Sequence, residues 1–413
     1  MWTKSGNSSE YLQYFFFFCC SFAKFLNNGI LNQEKLNQKI GILGGGQLGK
    51  MLFQAGSKFG LQISILDKDI SFPAAQVCPS FVCGNIADYE DVLRFGKDLD
   101  IITIEIENVN IQALETLEKM GKKVYPQPSV LSIVKDKGRQ KIFYEGSSFP
   151  ASEFTLYKDK SEILADIDAG KLSIPFVQKL RNDGYDGRGV QVVRSADDLE
   201  FLLEGASLTE EMVDIEKEIA VVLARNPSGQ VTSFPIVEMH FHPSANLVEF
   251  LFTPSTLTED QQNEAENLAK EIAQKLGIIG LLAVEMFVDK NGKILINEVA
   301  PRPHNSGHHT IEACITSQYE MHLRAILDLP LGSTDLINPA VMINLLGEPG
   351  YAGIVRYQDF EQCLALNGVY PHLYGKKETR PFRKMGHVTV IDKDLNVAIK
   401  KALFVQKALK VVS

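Results

Sequence analysis

Glu285 and Glu298 flank the turn of "LLAVEMFVDKNGKILINEVA", a β-hairpin pattern around Asn291-Gly292. Asn-Gly supplies the positive φ angles of a two-residue turn. Lys290 then faces Lys293, and counting back along both strands sets Glu285 opposite Glu298. Opposed like charges destabilise a sheet, and burial worsens this unless a proton or a cation intervenes. The pair therefore points to Mg2+ held by carboxylates and nucleotide phosphates. Two solvated carboxylates on an exposed face are the alternative, which sits poorly with the apolar residues around Glu285.

A second constellation is "KLRNDGYDGRGV", Lys179 to Val190. Gly184, Gly187 and Gly189 let backbone N–H groups approach phosphate oxygens, and Lys179, Arg181 and Arg188 neutralise them. A plain hairpin turn needs one or two glycines and no such basic surround. In "LTEEMVDIEKEIAVVL", Glu210, Glu211, Met212 and Val213 fit an adenine slot and Glu218 fits a ribose hydroxyl. A charged, solvated linker is an equally good reading.

The stretch "NEVAPRPHNSGHHT" holds His304, His308 and His309 beside Arg302. Structural zinc calls for cysteines or a regular histidine spacing, and neither is present. A donor-rich loop for an anion and a polar substrate is the better reading. In "LYGKKETRPFRKMGHVTV", Lys376, Lys377, Arg380, Arg383 and Lys384 crowd into nine residues, a local basic cluster suited to a phosphate monoester. Gly44 to Gly49 spell G-x-G-x-x-G between a strand and a helix, with Asp67 at the end of the next strand. Alone this fits a dinucleotide site, but any close-packed strand–helix turn that receives a phosphate uses such glycines.

These residues need elements to hold them. "KIGIL", "LQISILD", "DIITIEIENV" and "KKVYP" read as strands alternating with helices, which implies a parallel sheet covered on both faces. From Asp136 the pattern changes. "DKGRQKIFYEG" looks helical, "FTLY", "FVQKL", "GVQVV" and "EIAVVLAR" are short strands, and a long helix follows with Thr258 as N-cap and Gly277 closing it. The expected architecture is α/β and α+β, with units at 39–134, 135–335 and 336–413. The last is a small mixed β unit.

Composition sets limits. A chain of 413 residues exceeds one typical domain. It is 45% hydrophobic and carries a net charge of −9, which describes a soluble globular protein and argues against nucleic acid as a partner. Six scattered cysteines form no disulfide framework, so a reducing, cytoplasmic setting is expected. The apolar run Tyr11–Leu26 is interrupted by polar residues and too mixed for a membrane span or a signal peptide. Residues 1–38 read as a disordered extension outside the fold.

Together the stretches "GILGGGQLGKM", "TIEIENV", "GYDGRG", "EMF…INEVAPRPHNSGHHT" and "YGKKETRPFRKMGHV" resemble the ATP-grasp superfamily. Within it they are similar to the N5-carboxyaminoimidazole ribonucleotide synthases, from about residue 39 to the end. The resemblance implies a Rossmann-like N-terminal domain, a central ATP-grasp domain and a small C-terminal domain, with a glycine turn that is no dinucleotide site. It implies ATP, two Mg2+ ions, bicarbonate and aminoimidazole ribonucleotide as ligands, and a homodimer.

By that resemblance ATP meets Lys137, Lys179, Gly184, Tyr185, Asp186, Gly187, Arg188, Gly189 and Val190. Glu210, Glu211, Met212, Val213, Glu218, Glu238, Asn297 and Glu298 complete its site. Glu285 and Glu298 hold Mg2+. Arg302, His304, Asn305, Lys376 and Asp186 serve the reaction, and Tyr185, Arg383, Gln47 and Glu107 border the ribonucleotide. His308 closes the loop, and His309 has no assigned role. Lys137 stands where many members carry arginine, so it contacts phosphate as a point charge. Val190 stands where glutamine is common and offers only its backbone. A formate-using transformylase, a biotin carboxylase, a degenerate ATP-binding module and an NAD-dependent oxidoreductase are the competing readings.

Overall fold

The computed structural model describes residues 33–182, 189–241 and 247–413. The chain enters through α1 (Gln33–Leu36) and β1 (Lys39–Leu43), then α2 (Gln47–Ser57), β2 (Gln62–Asp67), β3 (Phe81–Cys83) and α3 (Tyr89–Gly96). β4 (Ile101–Ile104), α4 (Ile111–Lys119) and β5 (Lys123–Val124) follow. The five strands form one parallel sheet in the order β3-β2-β1-β4-β5. β1 and β4 are buried on both faces, as their unbroken apolar runs require.

Two expectations are corrected here. The extension expected over 1–38 already has structure at its end. Lys35 pairs with Asp328 at 3.0 Å, and Leu36 packs on the apolar core beneath α2, so residues 33–38 belong to the fold. The strand expected over 100–109 stops at Ile104. Glu105 then turns its carboxylate to backbone N–H groups of the glycine turn, which a continuing strand would not allow.

Next come α5 (Pro128–Val134) and α6 (Lys137–Gly146), the latter N-capped by Asp136. β6 (Phe154–Tyr157), α7 (Lys160–Asp168), β7 (Phe176–Leu180), β8 (Val190–Val193) and β9 (Ser207–Glu211) make a small lobe. Its four strands are antiparallel, in the order β6-β9-β7-β8.

The second lobe uses β10 (Ile215–Arg225), β11 (Val231–Ser233), β12 (Val237–Phe241), β13 (Val248–Thr253), α8 (Glu259–Leu276), β14 (Gly280–Asp289) and β15 (Ile294–Ala300). Thr258 caps α8 with a reciprocal bond to Gln261, and Gly277 ends it at φ 65°. α8 covers one face of the sheet through Ala265, Leu268, Ala269 and Ile272. After α9 (Thr310–Ala313), α10 (Gln318–Ile326) covers part of the other face with Met321 and Ala325.

The C-terminal part adds β16 (Ala340–Leu346), β17 (Gly353–Ile354), β18 (Arg356–Gln358), α11 (Phe360–Leu364), β19 (Val369–Leu373), β20 (Glu378–Thr379), β21 (Lys384–Ile391), α12 (Leu395–Ala408) and β22 (Lys410–Val412). β17 pairs with β20, and β18 with β22. The main sheet runs β15-β14-β10-β12-β13-β16-β21-β19, with β11 on β10. The C-terminal strands thus continue the central sheet through β13 and β16, leaving β13 no open edge. Among the described residues, no helix is long and apolar enough to cross a membrane.

Candidate active site

The β14–β15 hairpin brings Glu285 and Glu298 together by a route the sequence did not indicate. Its turn is not the two-residue Asn291-Gly292 turn. Asp289 N–H donates to Lys293 O at 3.0 Å and Gly292 N–H donates to Asp289 O at 2.8 Å, so three residues lie in the loop. Gly292 takes the positive φ, 82°. This register pairs Val288 with Ile294 and Met286 with Ile296. Continued, it would set Glu285 against Asn297. A β-bulge intervenes, and Glu285 pairs with Glu298.

The extra residue, Asn297, accepts a hydrogen bond from Lys179 Nζ at 2.9 Å. Lys137 is in contact with Glu298 and holds that carboxyl well below the usual carboxylate range. Burial pushes Glu285 the other way, and the Glu298 charge adds to the push. Glu218 lies on the same face of β10, and burial raises it to about 7 against the pull of Lys179. Three acids and two lysines therefore line one cleft between the two lobes.

The Glu210 side chain is taken up by lysines, which leaves the expected adenine lining to backbone groups of this stretch. It is 4% exposed and sits between Lys141 at 3.1 Å and Lys179 at 2.9 Å. Burial opposes its charge, but the two ammonium groups outweigh burial and keep it ionised. Its side chain positions lysines. Glu211 and Met212 are exposed and Val213 is half-buried at the lobe junction. Lys141 is a site residue that the sequence reading missed. The available signal was its i,i+4 spacing from Lys137, which places both on one face of α6.

Glu238 is a second correction. It pairs with Ile219 and stands next along its strand to Val237 and Met239, which share a face with Ala220 and Glu285. Alternation therefore turns Glu238 to the opposite face, where it accepts from Thr256 Oγ1 at 2.7 Å. Arg181 is a third. Its guanidinium grips the helix-capping Asp136 at 2.6 and 3.0 Å, which fixes the start of α6 and so Lys137. Gly189 and Val190 open β8, with Val190 paired to Lys179. Gly184, Tyr185, Asp186, Gly187 and Arg188 lie outside the described residues.

The 297–310 loop supplies the other wall. Arg302 Nε meets Glu107 at 2.9 Å, which joins the loop to the N-terminal domain. His304 Nε2 lies 3.5 Å from Glu285 and its Nδ1 is 2.9 Å from Ser306 Oγ. Both amide atoms of Asn305 are buried with no hydrogen-bond partner among the described residues. Such a pair is costly unless a ligand or water takes it up. His308 faces away, bonded to Tyr319 at 2.9 Å, and His309 to Ser306 O at 3.1 Å. Burial lowers both rings, His309 to about 4.

The basic cluster divides. Lys376 Nζ donates to Lys384 O at 2.7 Å and lies 5.4 Å from the Tyr374 ring centre. Arg383 donates to Glu378 O at 2.8 Å, while Lys377 and Arg380 are exposed. Lys384 was read only as one of the cluster, yet its charge acts on Glu285.

The glycine turn is filled by the chain itself. Asp67 accepts from Gly45 N–H at 2.6 Å, and Glu105 accepts from Gly46 N–H at 2.6 Å and from Gly49 N–H. Burial raises Glu105 to about 6 against those two hydrogen bonds. The donors a dinucleotide pyrophosphate would use are thus engaged. Gln47 opens α2 beside them, half-buried.

Comparison with known proteins matches the chain over most of its length. Family models match in three places: the ribonucleotide synthetase preATP-grasp domain over 37–135, the ATP-grasp domain over 143–319, and the phosphoribosylaminoimidazole carboxylase C-terminal domain over 340–401. The N5-carboxyaminoimidazole ribonucleotide synthase of Bacillus subtilis is 34% identical over 355 residues, 85% of this chain and 90% of that one. The crystal structure of N5-carboxyaminoimidazole ribonucleotide synthetase from Thermotoga maritima superposes with a TM-score of 0.84 at 43% identity, covering 91% and 99% of the two chains. An Aspergillus clavatus synthase, solved with ADP and 5-aminoimidazole ribonucleotide, gives 0.81 at 30% identity, covering 90% and 99%. The chain spans only 64% of the phosphoribosylaminoimidazole carboxylase of Vigna aconitifolia, at 35% identity over 86% of its own length.

Proposed function

The chain belongs to the N5-carboxyaminoimidazole ribonucleotide synthase family, and on that premise we propose that it carboxylates 5-aminoimidazole ribonucleotide with bicarbonate and ATP. The observation that carries this reading is the Glu285–Glu298 pair, with Lys137 and Lys179 on one side and His304 and Arg302 on the other.

Nucleotide phosphates suit the lysine side of the cleft. Lys179, shared between Glu210 and Asn297, is placed to meet a transferring phosphoryl group and stabilise its charge. The carboxylate pair fits Mg2+, because two opposed acids, one of them driven toward protonation, are relieved by a cation. Glu285 and Glu298 would hold it, leaving the remaining positions to phosphate oxygens and water. When bound, Mg2+ neutralises charge on the phosphoryl oxygens.

Bicarbonate attacks the γ-phosphate, giving carboxyphosphate and ADP. Arg302, His304 and the unpartnered Asn305 amide are the groups that hold the bicarbonate-derived anion. The exocyclic amine of the ribonucleotide then takes the carboxyl group from carboxyphosphate; the bond to the phosphate oxygen breaks, inorganic phosphate leaves and the amine gives up a proton. Lys376 and Arg383 anchor the 5′-phosphate, and Gln47 and Glu107 border the sugar side. Asp186 and Tyr185 complete the substrate site by family resemblance. The same reading carries a homodimer in the cytoplasm.

The deciding assay is ADP release, with bicarbonate and ribonucleotide omitted in turn. Release that needs both is the expected result. Release stimulated only by formate or by biotin would assign the chain to another ATP-grasp reaction.

A further inference from the structure

Three histidine rings form a column beneath the site. His308 packs against His387 with centroids 4.5 Å apart and the rings tilted by 36°, and His387 stacks on His372 at 4.4 Å and 8°. They come from three places: the loop after β15, strand β21 and strand β19. Each ring is fixed in orientation. Tyr319 Oη and Gln318 hold His308 Nδ1 at 2.9 and 3.2 Å, Tyr374 Oη holds His387 Nδ1 at 3.1 Å, and Glu312 holds His372 Nε2 at 2.7 Å.

The column connects to the site at its His308 end and at its middle ring. Gln318 also clamps the His304 backbone, accepting from its N–H at 2.9 Å and donating to its carbonyl at 2.8 Å. The Tyr374 ring, bonded to the middle ring His387, lies under Lys376. A continuous path of rings and hydrogen bonds therefore runs from His304 to Lys376. Every link in it is packed or bonded, and His308 and His387 are at most 2% exposed.

We infer that His387 is a positioning residue for the ribonucleotide: through the stacked column it sets the spacing between the His304 loop and the phosphate-anchoring Lys376 segment. This rests on the proposed function. A substrate held at one end by its phosphate and at the other near its amine is sensitive to that spacing, because a misplacement of about 1 Å costs up to about a hundredfold. The nucleotide lysines sit on α6 and β7, outside the column, so the ATP phosphates do not depend on it directly.

The test compares His387→Ala with His387→Phe, which keeps a stacking ring. The alanine variant should raise KM for the ribonucleotide by roughly tenfold or more with KM for ATP unchanged, and the phenylalanine variant should recover most of the loss. Equal rises in both KM values, or an unchanged ribonucleotide KM in a folded alanine variant, would overturn the inference. Hydrogen exchange without substrate gives a second reading. His387→Ala should speed exchange in residues 369–384 and leave β1 to β5 protected; no change there would also overturn it. Should the wild type release no ADP with this substrate, the functional reading fails while the exchange comparison still decides the column.

Discussion

Glu285 and Glu298 pair across neighbouring antiparallel strands, and the two carboxyl groups hold their protons differently. Lys137 keeps Glu298 ionised, whereas burial and the Glu298 charge raise Glu285 to about 8. At neutral pH Glu285 is therefore driven toward its protonated form, and a cation bound by the pair would displace that proton.

Binding of Mg2+ with ADP at pH 7 should release about one proton per site. Calorimetry in buffers of different ionisation enthalpy measures this. The sign for stability follows from the raised value: the Glu285 contribution is full below the ordinary carboxylate pKa and is lost as pH rises through about 8. Thermal midpoints of the metal-free protein should fall over that range, and Glu285→Gln should flatten the slope. A release of zero protons would show that the pair is already fully ionised.

Glu298→Gln should reduce ADP release by roughly a hundredfold or more, since metal-assisted charge stabilisation contributes several kcal/mol. The amide also removes the ion-pair partner of Lys137, so the variant's thermal midpoint is measured before its turnover is read. Unchanged turnover would remove the metal assignment.

Lys141→Met leaves buried Glu210 with Lys179 alone. Removing one partner of a buried ion group costs about 3 kcal/mol, measurable by denaturant unfolding. The Lys141→Met, Glu210→Gln double variant should recover part of it. Full additivity of the two substitutions would show that the contact carries no coupling.

Asn305→Ala removes two buried polar atoms that have no partner among the described residues. An unsatisfied buried group costs about 1–3 kcal/mol, so the unliganded variant should be at least as stable as the wild type. Its KM for bicarbonate should nevertheless rise. A fall in stability without ligand would place a structural role on the amide instead.

NAD should show no saturable binding in a fluorescence titration, because Asp67 and Glu105 already occupy the N–H groups of the glycine turn.

Much of this protein is determined locally. Apolar runs set the parallel strands, and Thr258 and Gly277 bound their helix. These signals act over a few residues, where periodicity and backbone preference decide. The opposition of Glu285 and Glu298 was also legible, though the counted turn was one residue too short and the bulge at Asn297 made up the difference. Tertiary structure alone decided the rest. The sequence of "TEEMV" does not say that Glu210 is buried between Lys141 and Lys179, because its partners come from α6 and β7. Nor does strand alternation reveal that Glu238 turns away until the register with β10 is known. Burial and long-range charge are properties of the assembled sheet and lobes, and they fix which acids are driven toward protonation and which lysines are spoken for.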